Sequence, residues 1–420
     1  MKKHTAHLLF AAASSLLLTS PATQAAQTLT EGLQSGSSIK VNFRTRYEEV
    51  SWDGLKDSDA LTLRTRLSYQ SGTWNGFAAT IEMDNVTEVD NDVGYRTWAR
   101  DTKNPGTAII SDPEGTDLNQ SLVSYSTFNN QVKYGRQRIV LDNSRFIGNV
   151  GWRQNEQTYD GLSFTNKSIR YTNIFLAHIT NVNRIFGDDI PIQGDYKQDS
   201  NLVNVSYTGF SAGKLTGYAY LIDNDNDAVL VKAADKAAAL SSNTYGVRWV
   251  SSANPAFMYT LECATQESAY DNPLDYSARY VLAEVSTTLG RFVPAVGYEL
   301  LGSDSGMKGF ATPFATLHAF QGWADRFLTT PKNGIEDMYV NLGSTVWGTQ
   351  LLASYHTYKS DVKDVDYGTE WNVSASKKWG AVAYTIKYAA FKNDNFKETI
   401  AGKSIASDTA KFWVQADWNF

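Results

Sequence analysis

The chain has 420 residues, 20% of them charged, 13% aromatic, and only one Cys. A lone thiol excludes an intrachain disulfide and any multi-cysteine metal site, and 44 Asp+Glu against 38 Lys+Arg, a net charge of -6, argues against a nucleic-acid binder. A mean hydropathy of -0.35 excludes a bundle of membrane helices but not a membrane barrel, whose strands need apolar residues only at alternate positions.

The first 26 residues read as a cleaved secretory signal peptide. Lys2 and Lys3 precede an apolar stretch from Leu8 to Leu18, and small residues follow from Thr23 to Ala26. The apolar stretch is about half of what spans a bilayer, so an anchor is not expected. Loss of the two lysines takes the net charge from -6 to -8. Residues 27–37 are expected to be a short N-terminal segment, on the periplasmic side if the remainder is a barrel, and residues 38–420 a single domain whose pattern is taken next.

Period-2 alternation begins at once. Ile39, Val41, Phe43 and Tyr47 alternate with Lys40, Asn42, Arg44 and Arg46, and Leu61, Leu63 and Leu67 with Thr62, Arg64 and Arg66. The pattern recurs to the last segment, where Phe412, Val414, Ala416, Trp418 and Phe420 alternate with Lys411, Trp413, Gln415, Asp417 and Asn419. Connections alternate too: short turns follow even-numbered segments, and long loops at 85–118, 181–199, 223–242 and 302–335 follow odd-numbered ones. That asymmetry belongs to membrane barrels with short periplasmic turns and long extracellular loops. The expected fold is all-β: a transmembrane antiparallel β-barrel of 18 strands. Sixteen stays open because the segments near Asn119, Gln131 and Thr158 are weak. Two strands break the pattern: Ile174 and Leu176 fall on the inward phase set by Tyr171, Phe175 and Ile179, and Arg136 and Arg138 on the outward phase set by Val132 and Tyr134 unless Gly135 marks a bulge; both are left open. The Ala run within 227–240 suggests a short helix inside a loop.

Catalysis has thin support. Ser354 and His356 share one strand face but lack a visible third member, and no nucleophile elbow, P-loop or HExxH pattern occurs. The run from Asp223 to Asp227 resembles the start of a calcium loop, yet Ala228 stands where Gly is needed and Ala234 where the bidentate Glu belongs. No cofactor and no metal are expected. Cys263, on the apolar parity, reads as a small lipid-facing hydrophobe.

The inward charges carry more information. Lys40, Arg44, Arg46, Arg64, Arg66, Lys133 and Arg170 form a basic set, Glu82, Asp84, Glu262, Glu284 and Glu299 an acidic one. Apart from Glu82 and Asp84, the acids fall on the far side of the ring, so a basic wall is expected to face an acidic wall across a constriction, with local salt bridges as the alternative. The loop at 302–335 is too apolar for water: Phe310, Phe314, Phe320, Trp323 and Phe327, with His318 among them, are expected to fold inward as a plug.

Residues 134–164, YGRQRIVLDNSRFIGNVGWRQNEQTYDGLSF, and 309–337, GFATPFATLHAFQGWADRFLTTPKNGIED, together with the terminal WVQADWNF, resemble the alginate-export-like family of Gram-negative outer-membrane porins. The resemblance implies an eighteen-stranded barrel in the outer membrane that passes solutes or a polymer. It also implies contact with lipids and lipopolysaccharide, and a terminal Phe420 read by the barrel assembly machinery. The family's exporter is implied to have a strongly basic conduit. This chain is acidic with both signs in its lumen, so diffusion of small hydrophilic solutes is favoured over export or uptake of an anionic polysaccharide or uronate-type sugar. A surface receptor or a barrel-embedded hydrolase is the remaining alternative.

Overall fold

The computed structural model describes residues 28–90, 94–99, 101–188, 190, 193–227, 239–252, 254, 256–396, 398–400, 403–405 and 408–420. The expected signal peptide, 1–26, and the Ala run at 228–238 lie outside the described residues.

The alternation resolves into β1 (Ser38–Trp52), β2 (Ser58–Gln70), β3 (Phe77–Asp90), β4 (Gly115–Thr127), β5 (Asn130–Gln137) and β6 (Thr158–Asn166). There follow β7 (Thr172–Asn183), β8 (Asp195–Phe210), β9 (Gly213–Ile222), β10 (Ser242–Ser251), β11 (Met258–Ser268) and β12 (Ser277–Ser286). The last third holds β13 (Phe292–Leu301), β14 (Ile335–Val346), β15 (Thr349–Lys359), β16 (Asp366–Trp379), β17 (Val382–Asn393) and β18 (Thr409–Asn419). These make one 18-stranded antiparallel sheet. It closes because β18 pairs with β1 from Asn419↔Asn42 to Thr409↔Trp52, and Phe420 N donates to the carbonyl of Val41 at 2.9 Å. Closure leaves no edge, so every strand finds its hydrogen bonds within the ring. Eighteen strands settle the count against sixteen; the three weak segments are β4, β5 and β6.

The parity that carries Leu67, Ile81, Met83, Val123, Val247, Leu261, Val296, Val340, Leu342 and Ile386 faces outward and is exposed. Cys263 lies on the same face. At the short-turn end stand Phe128, Phe257, Trp347 and Trp379, 75%, 56%, 92% and 79% exposed. Aromatic rings at this level suit the boundary between hydrocarbon and water. Trp347 and Gly348 both adopt positive φ, 51° and 75°, as a two-residue turn between twisted strands requires.

Several boundaries differ from expectation. The long loops run over 91–114, 184–194, 223–241 and 302–334, shorter than expected because the ladders continue past the apolar belt, where polar side chains pair as readily as apolar ones. A further long connection, 138–157, joins β5 to β6. At the N-terminus a helix, α1 (Leu29–Gln34), sits against the turn after β2, with Gly72 N donating to the carbonyl of Leu33.

Two of the loops, 138–157 and 302–334, turn deep into the barrel, and described residues of 91–114 pack beside them, with Tyr95, Ala108 and Ile110 against Val50 and Ala60. Phe146 packs between Tyr218, Tyr280 and Phe310, and Phe327 against Tyr358, Tyr367 and Phe391. The apolar inner face of β7, with Phe175, Ala177 and Ile179, belongs to this interior cluster. That settles the phase of β7: its inward parity is apolar because a loop, not water, covers it, and Ile174 and Leu176 take the outer parity. Arg136 likewise keeps the outward parity of Tyr134 and bonds Asp160 at 2.9 Å, whereas Arg138 lies one residue beyond β5 and turns inward.

The lipid-facing assignment has a direct consequence. Leu261→Arg, in the middle of β11, is expected to lower stability by about 2–4 kcal/mol in bilayers, measured by denaturant titration of the refolded barrel.

Candidate functional site

The constriction is assembled on β1 and β2. Arg44 Nη1 donates to the carbonyls of Gly151, Trp152 and Arg153 at 3.1, 3.3 and 3.2 Å. Arg46 Nη2 donates to the carbonyl of Trp152, and its guanidinium lies 4.1 Å over that indole. Arg64 Nη1 reaches the carbonyl of Gln154 at 3.0 Å, and Gln154 Nε2 returns a bond to Thr62 Oγ1 at 2.8 Å. Three guanidinium groups thus hold four consecutive peptide carbonyls of the inserted loop. Strand alternation makes this work, because Arg44 and Arg46 project to one face two residues apart and Arg64 sits opposite Arg44 in register.

Acids neutralise the ladder from several directions. Asp417 meets Arg44 at 2.8 Å, Asp112 meets Arg46 at 3.2 Å, and Asp84 takes two bonds from Arg66 at 2.6 Å. Glu156 accepts from Arg138 and lies 3.0 Å from Arg66, and Glu82 lies 2.8 Å from Arg138. Against burial, which raises it, Arg138 and Arg66 hold the Glu156 carboxyl at about 2. Against burial, Arg46 and Arg153 likewise hold Asp112 below its ordinary value.

The second loop docks on the adjoining arc, β16 to β18, which closes against β1. Ala324 N donates to Glu370 at 2.9 Å and Trp323 N to Asn372 at 3.2 Å. Asp325 joins three elements: Lys411 of β18 at 2.7 Å, Arg153 of the first loop at 3.1 Å, and His318 Nδ1 at 2.8 Å. Lys387 of β17 donates to His318 Nε2 at 2.7 Å, and its ammonium lies 3.9 Å over Trp152 and 3.8 Å over Trp323. His318 stacks on Trp152 with centroids 4.9 Å apart. Burial and the neighbouring Lys387 push the His318 imidazole down to about 3, so it is neutral, and the network assigns its proton to Nδ1. Against burial, Lys411 and His318 hold Asp325 well below the usual carboxylate range.

The expected site residues fall into place unevenly. Arg44, Arg46, Arg64 and Arg66 come together with Glu82 and Asp84, but as loop anchors and partners rather than as a free wall. Glu262 is taken by Arg248 and Tyr218, Glu284 by Tyr339, and Glu299 by Arg145 and Tyr280. The opposed charged walls are thus replaced by local pairs: some join neighbouring strands, as Arg248 and Glu262 do in register, and some, as Arg145 with Glu299, are brought by an inserted loop. Lys133 is half-buried and Lys40 exposed on the inner parity. Arg170 is not on a strand at all: it is exposed in the short turn before β7, stacked 4.5 Å over Tyr171. Phe310, Phe314, His318 and Phe327 are buried inside the barrel, with Phe320 and Trp323 half-buried beside them. Phe420 stacks on Trp418 at the short-turn end, on the outward face.

Residues outside the expected set do much of the work: Asp112, Arg138, Arg145, Trp152, Arg153, Glu156, Asp325, Lys387 and Lys411. The excess of buried-type residues in 138–157, Phe146, Ile147 and Trp152 among three arginines, was the available signal. Nearer the short-turn end lies a cavity of about 420 Å³, bordered by Asp142, Asn143, Lys214, Arg248, Ser251 and Ser252. The arrangement can sort solutes by size and polarity; none of its groups forms a nucleophile–base pair among the described contacts. His356 bonds Asp337 at 3.0 Å, with no bond recorded to Ser354.

A family model described as alginate export matches residues 36–292. The fold is similar to that of OccAB4 of Acinetobacter baumannii, with TM-score 0.69 and 12% identity over 92% of this chain and 98% of that one. It is similar to OccD3 (OpdP) of Pseudomonas aeruginosa, with TM-score 0.66 and 13% identity over 96% and 95%. It is also similar to Pseudomonas aeruginosa OpdK, solved with vanillate, with TM-score 0.67 and 12% identity over 93% and 100%. At such identities the likeness establishes the fold. No curated protein matches the chain in sequence.

Two outcomes test the constriction. Arg153→Ala strips counter-charge from buried Glu48 and Asp325 and is expected to cost about 3–5 kcal/mol, read by denaturant titration. The pH dependence follows from His318, whose ordinary value of 6.5 falls to about 3 when docked. A released imidazole binds a proton that the docked one refuses, so docking is at full strength above pH 6.5 and weakens as pH falls toward 3. Conductance is expected to rise over that window, and His318→Gln to flatten the rise.

Proposed function

We propose that this chain, which belongs to the alginate export family, lies in the outer membrane as a porin through which small hydrophilic solutes diffuse. An eighteen-stranded ring is wide enough for an aqueous passage, and the observation that carries the reading is the pair of loops drawn into that ring. They narrow the lumen from adjoining arcs and meet at Asp325, Arg153 and Trp152, while the wall behind them remains a complete barrel. Passage needs no cofactor and no chemistry.

The inner surface sets what passes. Charges of both signs stand close together and mostly paired, so a strong preference for either sign is not expected. Reduced water in the gap still makes each charge count for more than in bulk. Lys40, Lys133, Lys214 and Arg248 lie toward the short-turn end and favour an acidic solute leaving the constriction over a basic one. The cavity beside Asp142 gives such a solute a place to pause.

The family description favours a second reading, passage of an anionic polysaccharide. The anchoring role of Arg44, Arg46 and Arg64 weighs against it, because a polyanion would have to compete with the loop carbonyls and carboxylates those groups already hold. Terminal Phe420, 65% exposed beside Trp418, fits a signal for the assembly machinery, and the long-loop rim fits the lipopolysaccharide leaflet.

Liposome swelling tests the reading. Neutral pentoses and hexoses are expected to enter liposomes holding the folded protein, and replacing residues 310–327 by a short Gly/Ser linker should raise single-channel conductance. A folded barrel that passes no sugar counts against a porin. Block of conductance by polyuronate, retained when mono-uronates do nothing, turns the assignment toward polymer passage.

A further inference from the structure

The eight connections at the short-turn end, 71–76, 128–129, 167–171, 211–212, 252–257, 287–291, 347–348 and 380–381, contain no Asp or Glu, whereas Lys167, Arg170 and Arg291 lie within them. The opposite end is the acidic one, with Asp53, Asp57, Asp223, Asp225, Asp271 and Asp364 among its loop residues. The barrel is therefore electrically bipolar along its axis. Within the basic rim, the turn between β6 and β7 is built differently from its neighbours. Asn166 Oδ1 accepts from Ser168 N at 3.2 Å and Lys167 N donates to the carbonyl of Asn129 at 2.9 Å, which fixes the turn. Arg170 stacks on Tyr171, donating to its hydroxyl at 2.5 Å, and no carboxylate lies in ion-pair range of Lys167 or Arg170 among the described residues. Beside it runs an outward aromatic shelf: Tyr171 to Tyr207, centroids 6.4 Å apart, Tyr207 to Phe210, 5.0 Å, and Phe210 to Trp249, 5.8 Å. Ile169, 54% exposed, stands at the tip.

We infer that this turn is a docking site for an anionic phospholipid of the periplasmic leaflet. The phosphate takes the place of the missing carboxylate between Lys167 and Arg170. The planar guanidinium, already held by its stack on Tyr171, presents its remaining donors to two phosphate oxygens. The acyl chains lie along Tyr207, Phe210 and Trp249, where aromatic faces meet hydrocarbon at the level of the ester groups. The site orients the barrel as well, because a basic rim is attracted to an anionic leaflet while the acidic rim is not. The inference rests on the barrel sitting in a bilayer and is independent of what crosses it.

Native mass spectrometry of the folded full-length protein, released from vesicles of phosphatidylethanolamine with a minor share of phosphatidylglycerol, tests it. Retained phosphatidylglycerol is expected to exceed its share of the supply several-fold. That excess should vanish in the K167Q/R170Q variant and persist in K332Q at the other end. The excess should also shrink when salt is raised, since the site is exposed and screened, which tests the wild-type protein without any substitution. Retention in proportion to supply, an excess untouched by K167Q/R170Q, or an excess indifferent to salt would each overturn the assignment. Sugar flux in the same preparations reports separately on the porin reading.

Discussion

Arginine side chains of β1 and β2 holding the peptide carbonyls of residues 151–154 are the contact from which the interior of this barrel is organised. A loop inside a barrel has backbone groups and no ladder to join, and buried carbonyls without partners are costly. Here the guanidinium forks supply the donors. Once 138–157 is seated, its own side chains, Arg145, Arg153 and Trp152, become the surface on which the second loop docks.

The two loops then behave as one inserted body. Gly148 N donates to the carbonyl of Phe314 at 2.8 Å and Thr316 N to the carbonyl of Ser144 at 2.9 Å, so a short stretch of backbone pairing joins them. Gly148 is required there because a Cβ would strike Thr316. Gln157 Nε2 and Tyr159 OH also approach the carbonyl of Phe314, at 3.1 and 3.4 Å, which ties the joint to β6. A charge network and an aromatic cluster thus share the lumen. The first fixes orientation through directed hydrogen bonds, the second supplies apolar burial away from water.

Function follows from that division. A wholly apolar plug would close the ring, and an unpaired ring of one sign would repel itself and select strongly. In the proposed reading, pairing most of the interior charges near the constriction keeps the lining polar without a strong field of either sign. The cost is that the same residues cannot be altered singly without exposing a partner, so wall, loop and passage are coupled.

The closed barrel was legible in the residues alone, because lipid imposes a strict rule on each strand: apolar at alternate positions, with a turn at one end and a loop at the other. Eighteen segments, the lipid-facing parity and the inward set of arginines on β1 and β2 all follow from that rule. So did the inward fold of Phe310 to Phe327, since those rings have no other refuge from water. The partners of the inward charges were beyond the sequence. Phase tells which face a side chain occupies but not which distant segment comes to meet it. Asp112, Arg153 and Asp325 reach the wall from loops that carry no periodicity. Arg170 shows the same limit from the other side: its inward assignment rests on a phase of β7 that the inserted loop reverses, and it lies in the turn before the strand begins, at the rim. The wall is thus specified locally by alternation, whereas the constriction is decided by contacts between residues more than a hundred positions apart, such as Arg153 with Glu48, 105 residues away in sequence. Such contacts are fixed only when closure of the ring brings those segments face to face.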